Sequence, residues 1–113
     1  MANPEHEAQK QVVEYLRWLG VSFAAIPNGA KRSFKHASWL KAEGLTKGAP
    51  DIVIFSKPPR SSCVGVVMEM KSEKGRLSPD QVEFLDKLKK QNWHVIVAYG
   101  ADDAIIQLKS LGW

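Results

Sequence analysis

With 113 residues, 44% of them hydrophobic, the chain can bury one core but not two, so residues 1–113 are expected to form a single domain. No apolar run approaches the ~20 residues of a membrane span, and the opening MANPEHEAQK lacks the apolar centre of a signal peptide. The net charge is +4, which suits a polyanionic partner, and a lone cysteine, Cys63, excludes an internal disulfide and fits a reducing, cytoplasmic setting rather than secretion.

Residues 5–19 predict a helix, because Ala8, Val12, Tyr15, Leu16 and Leu19 recur on one stripe. Asn3 is its expected N-cap, Pro4 its first residue and Gly20 its end. Glu5 and Glu7 stand in the first turn, where negative charge complements the helix dipole. Glu7, next to the stripe, can alternatively reach a neighbouring site. Val21–Ile26 reads as a strand ended by the turn signal Pro27-Asn28-Gly29.

From Ala30 to Lys47 the pattern breaks down. Lys31, Arg32, Lys35, Lys41 and Lys47 face the single acid Glu43, interleaved with Ser33, Phe34 and His36. Cations mixed with an aromatic and a hydroxyl suit phosphate contact and base stacking, so this stretch is expected to be a nucleic-acid-contacting arm. A short helix is expected over Ala37–Glu43.

Two β-branched runs follow, Ile52–Phe55 and Cys63–Met68, separated by a Pro- and Ser-rich turn. Each carries an acid that a buried strand would ordinarily exclude. Asp51 stands at the mouth of the first behind Gly48-Ala49-Pro50, and Glu69 late in the second. Residues two apart in a strand share a face, so Lys71 projects with Glu69, and a hairpin brings Asp51 alongside. Two carboxylates that close repel unless a cation lies between them, and hard oxygen donors suit Mg²⁺ or Mn²⁺. A divalent-metal site with Lys71 beside it is the expectation; the alternative is a pair of solvated charges at strand ends.

Ser78, Pro79 and Gln81 supply the N-cap, first position and third position of a capping box, opening a helix whose buried side is expected to hold Val82, Phe84, Leu85 and Leu88. Capping alone accounts for Gln81. Residues 93–99, WHVIVAY, read as a strand long enough to be central, with His94 packed in it, and a last helix runs to about Leu111. The strand–helix–strand unit from Cys63 to Tyr99 is expected to cross over right-handedly between parallel strands. Trp18, Trp39 and Trp113 are candidates for an interface.

Glu7 in the first helix, Gly-Ala-Pro-Asp51, Glu69-Met70-Lys71 and Gln81 together resemble the PD-(D/E)XK nuclease superfamily, and within it the VRR-NUC domain of virus-type replication and repair nucleases. The resemblance implies an α/β, restriction-endonuclease-like core, a mixed central sheet flanked by helices. It also implies a Mg²⁺- or Mn²⁺-dependent endodeoxyribonuclease. Asp51, Glu69 and the main-chain carbonyl of Met70 would hold the ion. Lys71 would activate the attacking water, and Glu7 and Gln81 would complete the site, with Glu5 the rival of Glu7. Lys31, Arg32, Lys35, Lys47 and Arg76 would neutralise phosphates. Short members are similar to Holliday-junction resolvases, which implies a homodimer on four-way or other branched DNA and, by the same likeness, the cytoplasm of a bacterium hosting a phage or prophage. Larger relatives act on flaps. A non-catalytic nucleic-acid-binding module of the same fold is the competing reading, and a basic surface serving protein assembly is a third.

Overall fold

The computed structural model describes residues 3–27 and 34–113, with only the backbone described for residues 34–37. Helix α1 (Pro4–Leu19) starts at the expected cap: the Asn3 side chain accepts hydrogen bonds from the N–H groups of Glu5 (3.0 Å) and His6 (3.2 Å). Its stripe buries Ala8, Val12 and Leu16, with Tyr15 and Leu19 partly covered at the margin. Strand β1 (Phe23–Ala25) follows. Helix α2 (Phe34–Ala42) begins three residues before the expected start at Ala37.

Strands β2 (Ile52–Ile54) and β3 (Gly65–Lys71) form the expected antiparallel hairpin, with Ile52 opposite Met68 and Ile54 opposite Val66. Helix α3 (Pro79–Lys90) then crosses to strand β4 (Trp93–Tyr99), which runs parallel to β3, and helix α4 (Ala101–Ser110) follows. The sheet order is β1-β2-β3-β4, antiparallel except for the last pair. This is the mixed α/β sheet flanked by helices that the sequence predicts.

Alternation along β3 divides the two layers. Val66, Met68 and Met70 join Ile52, Ile54, Ile96 and Ala98 on one face, under α1 and the α4 residues Ala104 and Leu108. Val67, Glu69 and Lys71 take the other face, toward α3. Filling a stripe such as this with side chains at zero exposure is what holds the two layers together.

Two expectations are corrected here. β4 is an edge strand, not a central one; its apolar character reflects helices packed on both its faces, α3 and α4, and not a neighbour on its outer side. Helix α3 buries Leu85 alone, Phe84 and Leu88 are half-buried, and Val82 lies exposed. The helix meets the sheet through Leu85, with Phe84 and Leu88 partly covered beside it, and through its N-terminus.

Candidate active site

Three elements converge on the carboxyl end of β3. Asp51 immediately precedes β2, and its main chain is fixed from both sides: its N–H donates to Met68 O (3.0 Å) and its carbonyl accepts from Ile26 N–H (2.8 Å). Continuing the hairpin register by one residue sets Asp51 opposite Glu69, so the two acids project to the same face. The Asp51 side chain then extends the ladder itself, Oδ2 accepting from Met70 N–H at 2.7 Å.

The first turn of α3 closes the site from above. Ser78 and Gln81 make the expected capping box, Oγ of Ser78 accepting from Gln81 N–H and Oε1 of Gln81 accepting from Ser78 N–H (2.9 Å). The same Oε1 accepts from Lys71 Nζ at 2.9 Å, while Nε2 donates to Glu69 Oε1. Gln81 therefore caps a helix and bridges the acid to the lysine at once, a second task that the capping pattern alone does not reveal. Gly48 makes this docking possible. A Cβ there would sit 2.5 Å from Asp80 O and 3.0 Å from Gln81 N, and the residue's φ of +91° is costly for any side chain. The ion pair Lys47–Asp80 (3.3 Å) ties the same two segments at the surface.

Glu69 is only 3% exposed, yet it carries a carboxylate. Its Oε2 is buried without a hydrogen-bond partner among the described residues. Burial, with the neighbouring Asp51 carboxylate next, pushes its pKa from 4.5 up to about 8, against the opposing pull of Lys71, whose Nζ lies 3.8 Å from Oε1. An orphaned buried oxygen beside a second acid is a donor set that fits a hard cation. Among the described residues no three His, Cys, Asp or Glu side chains are gathered into a cage.

The comparisons with known proteins bear on this geometry. The sequence model of the VRR-NUC domain matches residues 4–102, most of the chain and every element that contributes to the site. The chain belongs to the VRR-NUC domain family. This is a nuclease-type domain. Two solved structures, described as a VRR_NUC domain protein and a VRR_NUC domain, share the fold. The first is 22% identical with a TM-score of 0.77, covering 98% of this chain and 89% of its own. The second is 23% identical with a TM-score of 0.64, covering 97% and 95%. No curated protein matches the chain.

Within this VRR-NUC fold, Asp51, Glu69, Lys71 and Gln81 come together, and the main chain of Met70 lies between the last acid and the lysine. Glu7 does not join them. Its carboxylate is half exposed and faces Lys10 at 3.9 Å. Glu5 instead reaches the end of β3, its Oε1 accepting from Ser72 N–H at 3.2 Å. The signal was in the helical period: Glu5 stands three residues before Ala8 and seven before Val12, on the buried stripe, whereas Glu7 is turned about 100° from Ala8.

Of the cations assigned to phosphate contact, Lys31 and Arg32 lie outside the described residues, as does the side chain of Lys35. Lys47 is at the surface beside the site, paired with Asp80, and Arg76 is exposed in the loop between β3 and α3. Trp18 and Trp39 are exposed and Trp113 packs against the core. Among the described residues no helix is long and apolar enough to cross a membrane.

Proposed function

We propose that this VRR-NUC chain is a divalent-metal-dependent, structure-selective DNA endonuclease, one nuclease domain over residues 1–113 that hydrolyses phosphodiester bonds in four-way or other branched DNA as a homodimer. The observation that carries the reading is the opposition of Asp51 and the buried, unsatisfied Glu69 across one register position, with Lys71 Nζ on the same face. Asp51, Glu69 and the Met70 carbonyl would hold Mg²⁺ or Mn²⁺. Such an ion, when bound, supplies Lewis acidity to the phosphate and acidifies a water molecule.

The chain's own residues supply the rest. Gln81 holds the Lys71 ammonium in place, so its charge is aimed before substrate arrives and costs no reorganisation as phosphate gathers negative charge. Lys71 is 13% exposed, shielded enough from water for that charge to act at short range. Burial holds the Glu69 carboxyl well above the usual carboxylate range, so a cation bound there would compete with its proton. Glu5 fixes the main chain at Ser72, where β3 ends. Lys47 and Arg76 flank the site as phosphate neutralisers, so binding weakens steeply with salt. Among the described residues no element at the site reads base edges, and the reading places the discrimination in the shape of the DNA. A twofold dimer would present two such sites to the two equivalent strands of a junction.

The test is cleavage of labelled four-way junction, flap and duplex DNA with Mg²⁺ or Mn²⁺. Asp51→Ala and Lys71→Ala should each lower cleavage about a hundredfold or more while circular dichroism shows folded protein. Cleavage that persists in both variants ends the proposal. Salt-sensitive binding without turnover under either metal would favour the non-catalytic module instead.

A further inference from the structure

Away from the acids, the other end of α1 carries a second, differently built recess. A cleft of about 510 Å³ is lined by Tyr15, Trp18, Arg60, Lys109, Gly112 and Trp113. Glu5 and Trp18 stand near opposite ends of α1, about 20 Å apart at 1.5 Å per residue, so this cleft is separate from the candidate active site. Trp18 is 79% exposed, although it is stacked on Tyr15 with ring centroids 5.9 Å apart and planes 29° from parallel. One face of the indole is thus backed by another ring and the rest is open.

The main chain of Arg60 is fixed beside it, while the side chains of Arg60 and Lys109 are exposed. Arg60 N–H donates to Leu111 O at 2.9 Å, which pins the β2–β3 loop to the end of α4. Its Cγ lies 3.0 Å from where a Cβ at position 112 would be, and Gly112 has φ +100°, so only glycine lets the two segments meet. Among the described residues neither Arg60 nor Lys109 forms an ion pair. Lys109, in the last turn of α4, has the helix dipole as an ordinary explanation. Arg60 and the open indole have none.

We infer that this cleft binds single-stranded DNA, stacking one unpaired base on Trp18 with Arg60 and Lys109 against the flanking phosphates. An aromatic platform with two unpaired cations is the combination that tracks a strand without reading its sequence. The inference goes beyond the proposed nuclease activity; it rests on DNA being the ligand class but on none of the residues around Asp51. The cleft would thus favour substrates with an unpaired segment away from the cut.

The experiment is fluorescence anisotropy of labelled oligothymidylate and of a blunt duplex, at low salt in EDTA, with wild type, Trp18→Ala, Trp18→Phe and Arg60→Ala. Trp18→Ala should weaken oligothymidylate binding about fivefold or more, the effect of losing one stacked base, and leave duplex binding unchanged. Trp18→Phe should restore most of it, and Arg60→Ala should flatten its dependence on salt. Equal oligothymidylate affinity in wild type and Trp18→Ala overturns the inference, as does a parallel loss on the duplex. A dimer-to-monomer shift of Trp18→Ala in sedimentation overturns it too, assigning the ring to a second copy of the chain. If wild type binds oligothymidylate in this Trp18-dependent way while cleaving nothing, the nuclease reading fails and the cleft stands.

Discussion

Helices α1 and α3 look alike in sequence and are held by different forces. Each opens with a polar cap and a proline, each carries an apolar stripe, and each has basic charge in its last turn, Arg17 in α1 and three lysines in α3. α1 sinks Val12 and Leu16 to zero exposure against the sheet. α3 buries Leu85 alone and is fixed by its first turn, through Gly48, Ser78, Lys71 and Glu69. One is a scaffold element whose position is set by burial. The other is a piece of the site whose position is set by polar contacts, so damage to α1 should be read in stability and damage to α3 in chemistry.

Five experiments bear on that contrast. The largest response concerns Glu69, the acid that α3 covers. Below pH 4.5 its carboxyl is neutral in both folded and unfolded chains. Between 4.5 and about 8 the unfolded chain gives up a proton that the folded one keeps. The metal-free protein should therefore lose stability as pH rises through this window, and Glu69→Gln should flatten the curve; identical thermal-melt profiles would break the account. Next, Leu16→Ala should cost about 2–5 kcal/mol in chemical denaturation by leaving a cavity under α1, with cleavage by the surviving folded fraction unchanged. Gly48→Ala should cost about 1–3 kcal/mol for its backbone conformation. Because it shifts Asp51 relative to Gln81, it should depress cleavage about a hundredfold, far out of proportion to its melting temperature.

Gln81→Ala removes the cap and the bridge together. About 1 kcal/mol of stability should go with the cap. Lys71 should lose its fixed position, seen as reduced kcat with little change in KM; a change confined to KM would make Gln81 a binding residue. The smallest effect belongs to Val82→Ser, within about 0.5 kcal/mol of wild type in both melts and cleavage. A larger cost would mean that the stripe on α3 is covered after all.

Sequence patterning carried the fold far because local signals agreed with the tertiary arrangement. Both capping boundaries, the antiparallel hairpin and the parallel crossover were readable from Asn3, Ser78, the β-branched runs and the spacing between them. What was not readable depended on numbers of neighbours. Whether WHVIVAY is central or at the edge is decided by how many strands the sheet has, and helices on both faces make an edge strand as apolar as a central one. Val82 and Phe84 sit at helical spacing whether or not the sheet extends far enough to cover them. At the site, Asp51, Glu69 and Lys71 were legible because strand alternation is strict. Between Glu5 and Glu7 the sequence leaves both open, because adjacency to the stripe favours Glu7 while the angle around the helix favours Glu5.

The Asp51 carboxylate doubles as a rung of the sheet, accepting the Met70 amide hydrogen at 2.7 Å. Any ion drawn in between the acids must compete for that oxygen, so occupancy of the centre would be written into the backbone itself. The Met70 amide resonance should move as Mg²⁺ is titrated in. In an isotope-labelled sample it would report loading in a chain that has never met a substrate.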